Sequence, residues 1–242
     1  MAAPSMRQVE GRKIRVHLPP GYDAGRADPY PVLVLHDGQN LFASEPEAWG
    51  GSWRADETID ALVDAGTIPP VVLVGVDHLG PGRIEEFAPA TGRRAAGSRV
   101  AAYAALVFDR VLPALGDELH LRTDAEGVAI GGASMGGLVT LWMAAMRPER
   151  CARLMVMSPS VWYGRRAILK LLRRRPVAPG ARVWVDAGVR EGERVYRDAR
   201  SLVDVLRAQG TEVTHYVEDA VGDHSESAWA RRLPDALRFL FS

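Results

Sequence analysis

The chain has 242 residues, 47% of them hydrophobic, with 30 basic and 30 acidic side chains. That is ample material for a buried core, and the balanced charge gives no sign of a nucleic-acid or anionic-membrane partner. The single Cys151 excludes an internal disulfide framework and reads as a small buried hydrophobe in a reducing compartment.

The N-terminal "MAAPSMRQVEGRK" lacks the apolar stretch of a secretory signal, and no apolar run approaches the ~20 residues that span a bilayer. The expectation is one domain over 1–242, in the cytoplasm. "MRQVEGRKIRVHLPPGY" reads as two strands turning at Glu10-Gly11. "YPVLVLHDGQN", "PPVVLVGVDHLG", "EGVAIGGAS", "ARLMVMSPS", "ARVWVDAG" and "TEVTHYVED" are short apolar runs ending in turn residues. Such runs suit strands buried on both faces of a parallel sheet. Between them lie helical patterns: "WRADETIDALVDAG", "RVAAYAALVFDRVLPAL" with Val100, Tyr103, Val107 and Val111 on one face, "DARSLVDVLRAQG", and the closing "SESAWARRLPDALRFLF". Strand and helix alternate, so the fold class is α/β, with helices on both faces of the sheet.

"AIGGASMGGLVT" contains Gly132-x-Ser134-x-Gly136 between a strand-like run and a helix-like one. This is the setting of a nucleophile elbow, in which glycines let strand and helix approach and the serine stands exposed on a sharp turn. A serine hydroxyl needs a base. Only His215 and His224 follow Ser134; His215 lies inside a strand, while His224 lies in the loop "AVGDHSES" before the last helix, where a base can reach the crevice. His17 is strand-borne and His120 ends a helix, while His36 and His78, at strand ends near the site, read as scaffold or pocket wall. No histidines have metal-ligand spacing, so no metal or cofactor is expected.

An acid to orient the base belongs after the penultimate strand, where Asp186, Glu191 and Glu193 are all available. The oxyanion donors expected are the backbone N–H groups of Met135 and of Gln39, the latter in "HDGQNLF" after an earlier strand. Trp53, Arg83 and Trp162 lie where they could line a substrate pocket. The segment 164–176, "GRRAILKLLRRRP", is either an amphipathic helix with a solvated basic face or a basic flap over the site.

"HLPPGY", "VLHDGQNLF", "RIEEFAP", "GGASMGG", "DAGVREGE" and "DHSESAWARRLPDAL", in this order from about residue 10 to the C-terminus, together resemble the putative-esterase group of α/β-hydrolases. That group includes enterochelin esterase-like enzymes, feruloyl esterases and mycolyltransferases. The resemblance implies an α/β-hydrolase fold with a mostly parallel sheet of about eight strands. It puts the nucleophile on Ser134, the histidine on His224, the acid on Glu191 and the oxyanion amides on Gln39 and Met135, with Asp186 the alternative acid. Ala133 stands where the S-formylglutathione hydrolase branch usually has histidine. The expected activity is hydrolysis of a small-molecule carboxylic ester through an acyl-enzyme. An acyltransferase using the same intermediate and a non-catalytic binding module on the same fold are the alternatives.

Overall fold

A computed structural model describes residues 4–44, 51–89, 97–211 and 215–242. Residues 212–214 of the run read as the last strand lie outside the described residues. Eight strands form one sheet: β1 (Ser5–Val9), β2 (Arg12–His17), β3 (Val32–His36), β4 (Val72–Val76), β5 (Val128–Ala133), β6 (Arg153–Met157), β7 (Arg182–Gly188) and β8 (His215–Asp219). Their spatial order is β1-β2-β4-β3-β5-β6-β7-β8. The β1–β2 hairpin and the β2–β4 pair are antiparallel, and every later pair is parallel. At the hairpin turn Glu10 and Gly11 both have positive φ, 49° and 77°, the geometry that matches the twist of the flanking strands.

β3, β4 and β5 are buried along their whole length, which is why they read as unbroken apolar runs. Alternate side chains leave β3 on opposite faces. Val32 and Val34 join the larger core cluster, while Leu33 and Leu35 join a second one. The first face is covered by α2 (Arg83–Phe87), α3 (Val100–Ala105), α4 (Leu112–Leu119), α5 (Met135–Met146), α6 (Tyr163–Arg174) and α7 (Glu193–Arg207). The second is covered by α1 (Ala55–Asp64) and α8 (Glu226–Phe241), which pack on each other. This is the α/β-hydrolase architecture.

Two segments differ in detail from their sequence pattern. The helix read continuously from residue 99 widens to a π-helix over Leu106–Val111 between α3 and α4. Pro113 has no N–H to give the carbonyl of Asp109, and a wider turn accommodates that gap. In segment 164–176, Gly164, Arg165 and Arg166 are left-handed, and the regular turns that follow bury Ile168, Leu169 and Leu172. Arg166 pairs with the buried Asp198 of α7. The segment is therefore an amphipathic helix wedged against α5 and α7 rather than a flap. Among the described residues no helix is long and apolar enough to cross a membrane.

Candidate active site

The crevice lies at the carboxyl ends of β3, β5, β6 and β7. Ser134 occupies the turn from β5 into α5 with φ 57° and ψ −116°, a strained backbone held by its surroundings. Its N–H donates to the Met157 carbonyl (3.0 Å), and its own carbonyl accepts from Leu138 N–H (3.1 Å) and Ser160 N–H (2.9 Å). The flanking glycines are required by proximity: a Cβ on Gly132 would stand 3.2 Å from Gly136 Cα and 3.3 Å from His36 Cβ. Met135 opens α5, so its N–H belongs to the first helical turn, which has no intrahelical acceptor.

His224 directly precedes Ser225, whose hydroxyl caps α8 by accepting from Ala228 N–H (3.3 Å). That cap fixes where the histidine leaves the loop. His224 Nε2 is 2.9 Å from Ser134 Oγ, and Nδ1 is 2.5 Å from Glu191 Oε2. A carboxylate can only accept, so Nδ1 carries the proton and Nε2 presents its lone pair to the serine hydroxyl. Trp229 meets the His224 ring edge-on, with centroids 5.0 Å apart. The histidine side chain is 44% exposed, while that of Glu191 is 1% exposed.

Glu191 ends a 3-10 turn, Val189–Glu191, just past β7. Its Oε1 accepts from Gly188 N–H (2.6 Å) and from the Ser158 hydroxyl (2.5 Å). Ser158, itself at φ 42° and buried, accepts in turn from Trp229 Nε1 (3.0 Å) and from Arg232 (2.9 Å). Arg232 is inserted between Asp186 (3.1 Å), Asp219 (3.2 Å) and Glu191 (3.8 Å). A backbone bond from Arg190 N–H to the Gly222 carbonyl (2.9 Å) ties the acid's loop to that of His224.

Asp186, the alternative acid, points away from the imidazole. It is fully buried and accepts from Trp184 Nε1 (2.8 Å) and Ser158 N–H (3.1 Å). Burial pushes its carboxyl up to about 6 against the pull of Arg232. The structure thus brings Ser134, His224 and Glu191 into one hydrogen-bonded line and leaves Asp186 beneath it as a brace.

Gln39 lies in the turn Gly38–Asn40 after β3. The turn is closed by Asn40 N–H to Asp37 O (2.9 Å) and Leu41 N–H to Gly38 O (3.3 Å), neither of which uses the Gln39 N–H. Gly38 is dictated by crowding, since a Cβ there would stand 2.7 Å from the Gly75 backbone and 2.6 Å from Asp77 Oδ1. Beside it Asp37, left-handed at φ 58°, takes a two-pronged ion pair from Arg83 (2.7 and 2.8 Å).

A cavity of about 290 Å³ opens in front of Ser134 and His224, with Trp53, Trp229, Asp37 and Arg83 in its walls. Trp53 and Arg83 therefore lie where the sequence puts a pocket. Trp162 does not. It is 41% exposed, packs against Tyr163 and lies under the Arg194 guanidinium, outside the cavity lining. Its own backbone is right-handed helical (φ −59°, ψ −24°) where it caps α6, and the sequence does not show which side of the chain a side chain there will take.

The other histidines serve the scaffold. His36 Nδ1 pairs with the Tyr103 hydroxyl (2.8 Å), and burial draws its pKa down to about 4. His17 contacts Asp60 (2.7 Å). Cys151 is buried, its thiol pushed up to about 12. Among the described residues no three His, Cys, Asp or Glu side chains are grouped to hold a metal ion.

Residues 5–240 match a family model described as Putative esterase. The iron(III) enterobactin esterase of Dickeya dadantii is 24% identical over 229 residues, covering 88% of this chain and 48% of that protein. Among solved structures, an IroE-like serine hydrolase from Shewanella oneidensis superposes with a TM-score of 0.81 at 17% identity, over 98% of this chain and 80% of its own. The enterobactin esterase FES from Shigella flexneri gives a TM-score of 0.77 at 22% identity, over 99% of this chain and 59% of its own. The chain thus spans about half the length of the Dickeya relative.

Proposed function

The chain belongs to the Putative esterase family, and from that membership we propose that it hydrolyses small carboxylic esters with Ser134 as nucleophile, His224 as base and Glu191 as the orienting acid. The observation that carries this reading is the continuous line Ser134–His224–Glu191, with 2.9 and 2.5 Å contacts, standing at the elbow and facing a cavity. Residues 1–242 act as one domain in this reading.

The chemistry follows from the geometry. His224 Nε2 takes the Ser134 proton as Oγ attacks the ester carbonyl, giving a tetrahedral intermediate. The oxyanion falls to the N–H groups of Met135 and Gln39, both free of the bonds that close their own turns. His224 returns the proton to the leaving alkoxide, which departs as the alcohol and leaves Ser134 acylated. A water then gives its proton to His224 and attacks the acyl carbon, and the carboxylic acid leaves as Ser134 recovers its hydrogen. Glu191, buried and anchored by Gly188 N–H and Ser158, holds the imidazole tautomer and balances the transient imidazolium.

The exposure of His224 favours water over a second alcohol as the acceptor, because solvent reaches the ring directly. The test is hydrolysis of 4-nitrophenyl esters of graded acyl length by the wild type and by Ser134→Ala. The variant should fold and lose on the order of 10^4-fold or more in kcat. Full turnover by a folded Ser134→Ala would refute the assignment, and ester exchange outrunning hydrolysis at low added alcohol would make the protein a transferase.

A further inference from the structure

Glu226 has no part in the proposed catalytic line, yet it lines the same cavity two residues beyond His224. It is half-buried in the first turn of α8, with Gly51 against its β-carbon. Every other charge on that wall is accounted for. Asp37 is neutralised by the two-pronged pair from Arg83, and Glu191 lies behind the imidazole beside Arg232. Glu226 makes no ion pair among the described residues; its one side-chain partner is the amide Nδ2 of Asn40, at 3.3 Å. The described lining residues therefore carry one net negative charge with the imidazole neutral.

Asn40 adds to this imbalance. It is 5% exposed, belongs to the same wall, and its Oδ1 finds no donor among the described residues. The polar side thus holds unmet acceptors, since the guanidinium of Arg83 is already committed to Asp37. The rest of the lining includes an apolar part, Leu41, Ala133 and the tilted pair Trp53 and Trp229, whose centroids are 6.0 Å apart. A hydroxyl group could satisfy one acceptor but would leave the carboxylate charge uncompensated. An ammonium group supplies donors and the missing charge together, and its alkyl chain matches the aromatic wall. Burial, with Asp37 nearby, holds the Glu226 carboxyl above the usual carboxylate range against the weaker pull of a backbone hydrogen bond, His224 and Arg83.

We infer that Glu226, with Asn40, forms a subsite for a primary alkylammonium group, so that the preferred substrates are esters whose acyl or alcohol chain ends in such a cation. This rests on the esterase reading above and names its substrate class.

The experiment separates binding from turnover. n-Butylammonium and 1-butanol, alike in size and different in charge, are titrated calorimetrically at about pH 8 and fixed ionic strength into the wild type and into Glu226→Gln. Turnover of 6-aminohexyl and 6-hydroxyhexyl butanoate is followed in parallel. Glu226→Gln should weaken the amine about tenfold, the factor that ~1.4 kcal/mol represents, and leave 1-butanol unchanged. The kcat/KM ratio of the aminohexyl to the hydroxyhexyl ester should collapse in the variant. Amine binding and ester preference that ignore the substitution would overturn the subsite. Glu226-dependent amine binding in a protein that cleaves neither ester would uphold the subsite and overturn the esterase reading instead.

Discussion

Replacing Glu191 by glutamine keeps the shape of the side chain and reverses one hydrogen bond. Gly188 N–H and the Ser158 hydroxyl both donate to Oε1, so the amide oxygen of the variant stays on that side. The new amide nitrogen then faces His224 Nδ1, which the carboxylate contacts at 2.5 Å. An amide N–H can only donate, so Nδ1 must accept and the ring proton moves to Nε2. The nitrogen 2.9 Å from Ser134 Oγ then has no lone pair to take the serine proton. The equivalent exchange in a Ser-His-Asp triad costs about 10^4 in kcat, or about 5.5 kcal/mol of transition-state stabilisation. KM should be unchanged, since Glu191 is shielded from the cavity by the imidazole. Asp186→Asn is the control. Its amide would keep the bond from Ser158 N–H and set an N–H against Trp184 Nε1, a clash of donors worth about 1–3 kcal/mol of stability. Its kcat should stay within about tenfold of wild type. Steady-state kinetics on a 4-nitrophenyl ester, with thermal melts of both variants, checks the pair. A larger loss of kcat in Asp186→Asn than in Glu191→Gln would refute the reasoning.

Arg232→Met would leave the fully buried Asp186 without its cation, while the partly exposed Asp219 keeps Arg231, at a cost of about 3–5 kcal/mol. The melting temperature should fall by about 6–20 °C for a chain of this size, and a change under about 3 °C would contradict the network. His36 yields a pH prediction. Its folded value of about 4 lies below the ordinary 6.5, so between these the unfolded chain binds a proton that the folded one does not. The stability owed to neutral His36 is therefore full above about pH 6.5 and lost as pH falls through 4, a difference of about 3 kcal/mol. Urea unfolding of wild type and His36→Gln across this window should give a stability difference between the two that shifts by that amount, the opposing contribution of the raised Asp186 carboxyl being common to both. Trp53→Leu should raise KM for alkyl esters, whereas Trp162→Ala should leave kcat/KM within about twofold, because only Trp53 borders the cavity.

The strands were legible because β3, β4 and β5 are buried on both faces, so their sequences carry no polar alternation to confuse with helix. The helix over residues 100–119 was legible as a helix, but its π segment was not, since periodicity does not register a single widened turn. Ser134 and His224 stood out through their places in the topology, one between glycines at a strand end and the other in the last loop. The choice between Asp186 and Glu191 was harder. Both follow the same strand, and only the three-dimensional turn shows that Glu191 reaches the imidazole while Asp186 is drawn back under Trp184. Ser158, Trp229 and Arg232 were not read as site residues at all. Trp229 and Arg232 carried a signal, a spacing of three on one face of α8, but their common target is a serine 71 and 74 residues away. Ser158 carried none, because its role comes from a left-handed backbone at the end of β6.

The claim on which the rest depends is that Ser134 becomes acylated. Intact-protein mass spectrometry after brief mixing with 4-nitrophenyl trimethylacetate, a bulky ester that deacylates slowly, reads this directly. One acyl group should be added per chain, mapped by peptide digestion to the peptide containing Ser134 and absent from Ser134→Ala. An unmodified protein that still releases 4-nitrophenol, or an acyl group found on a residue other than Ser134, would contradict that claim.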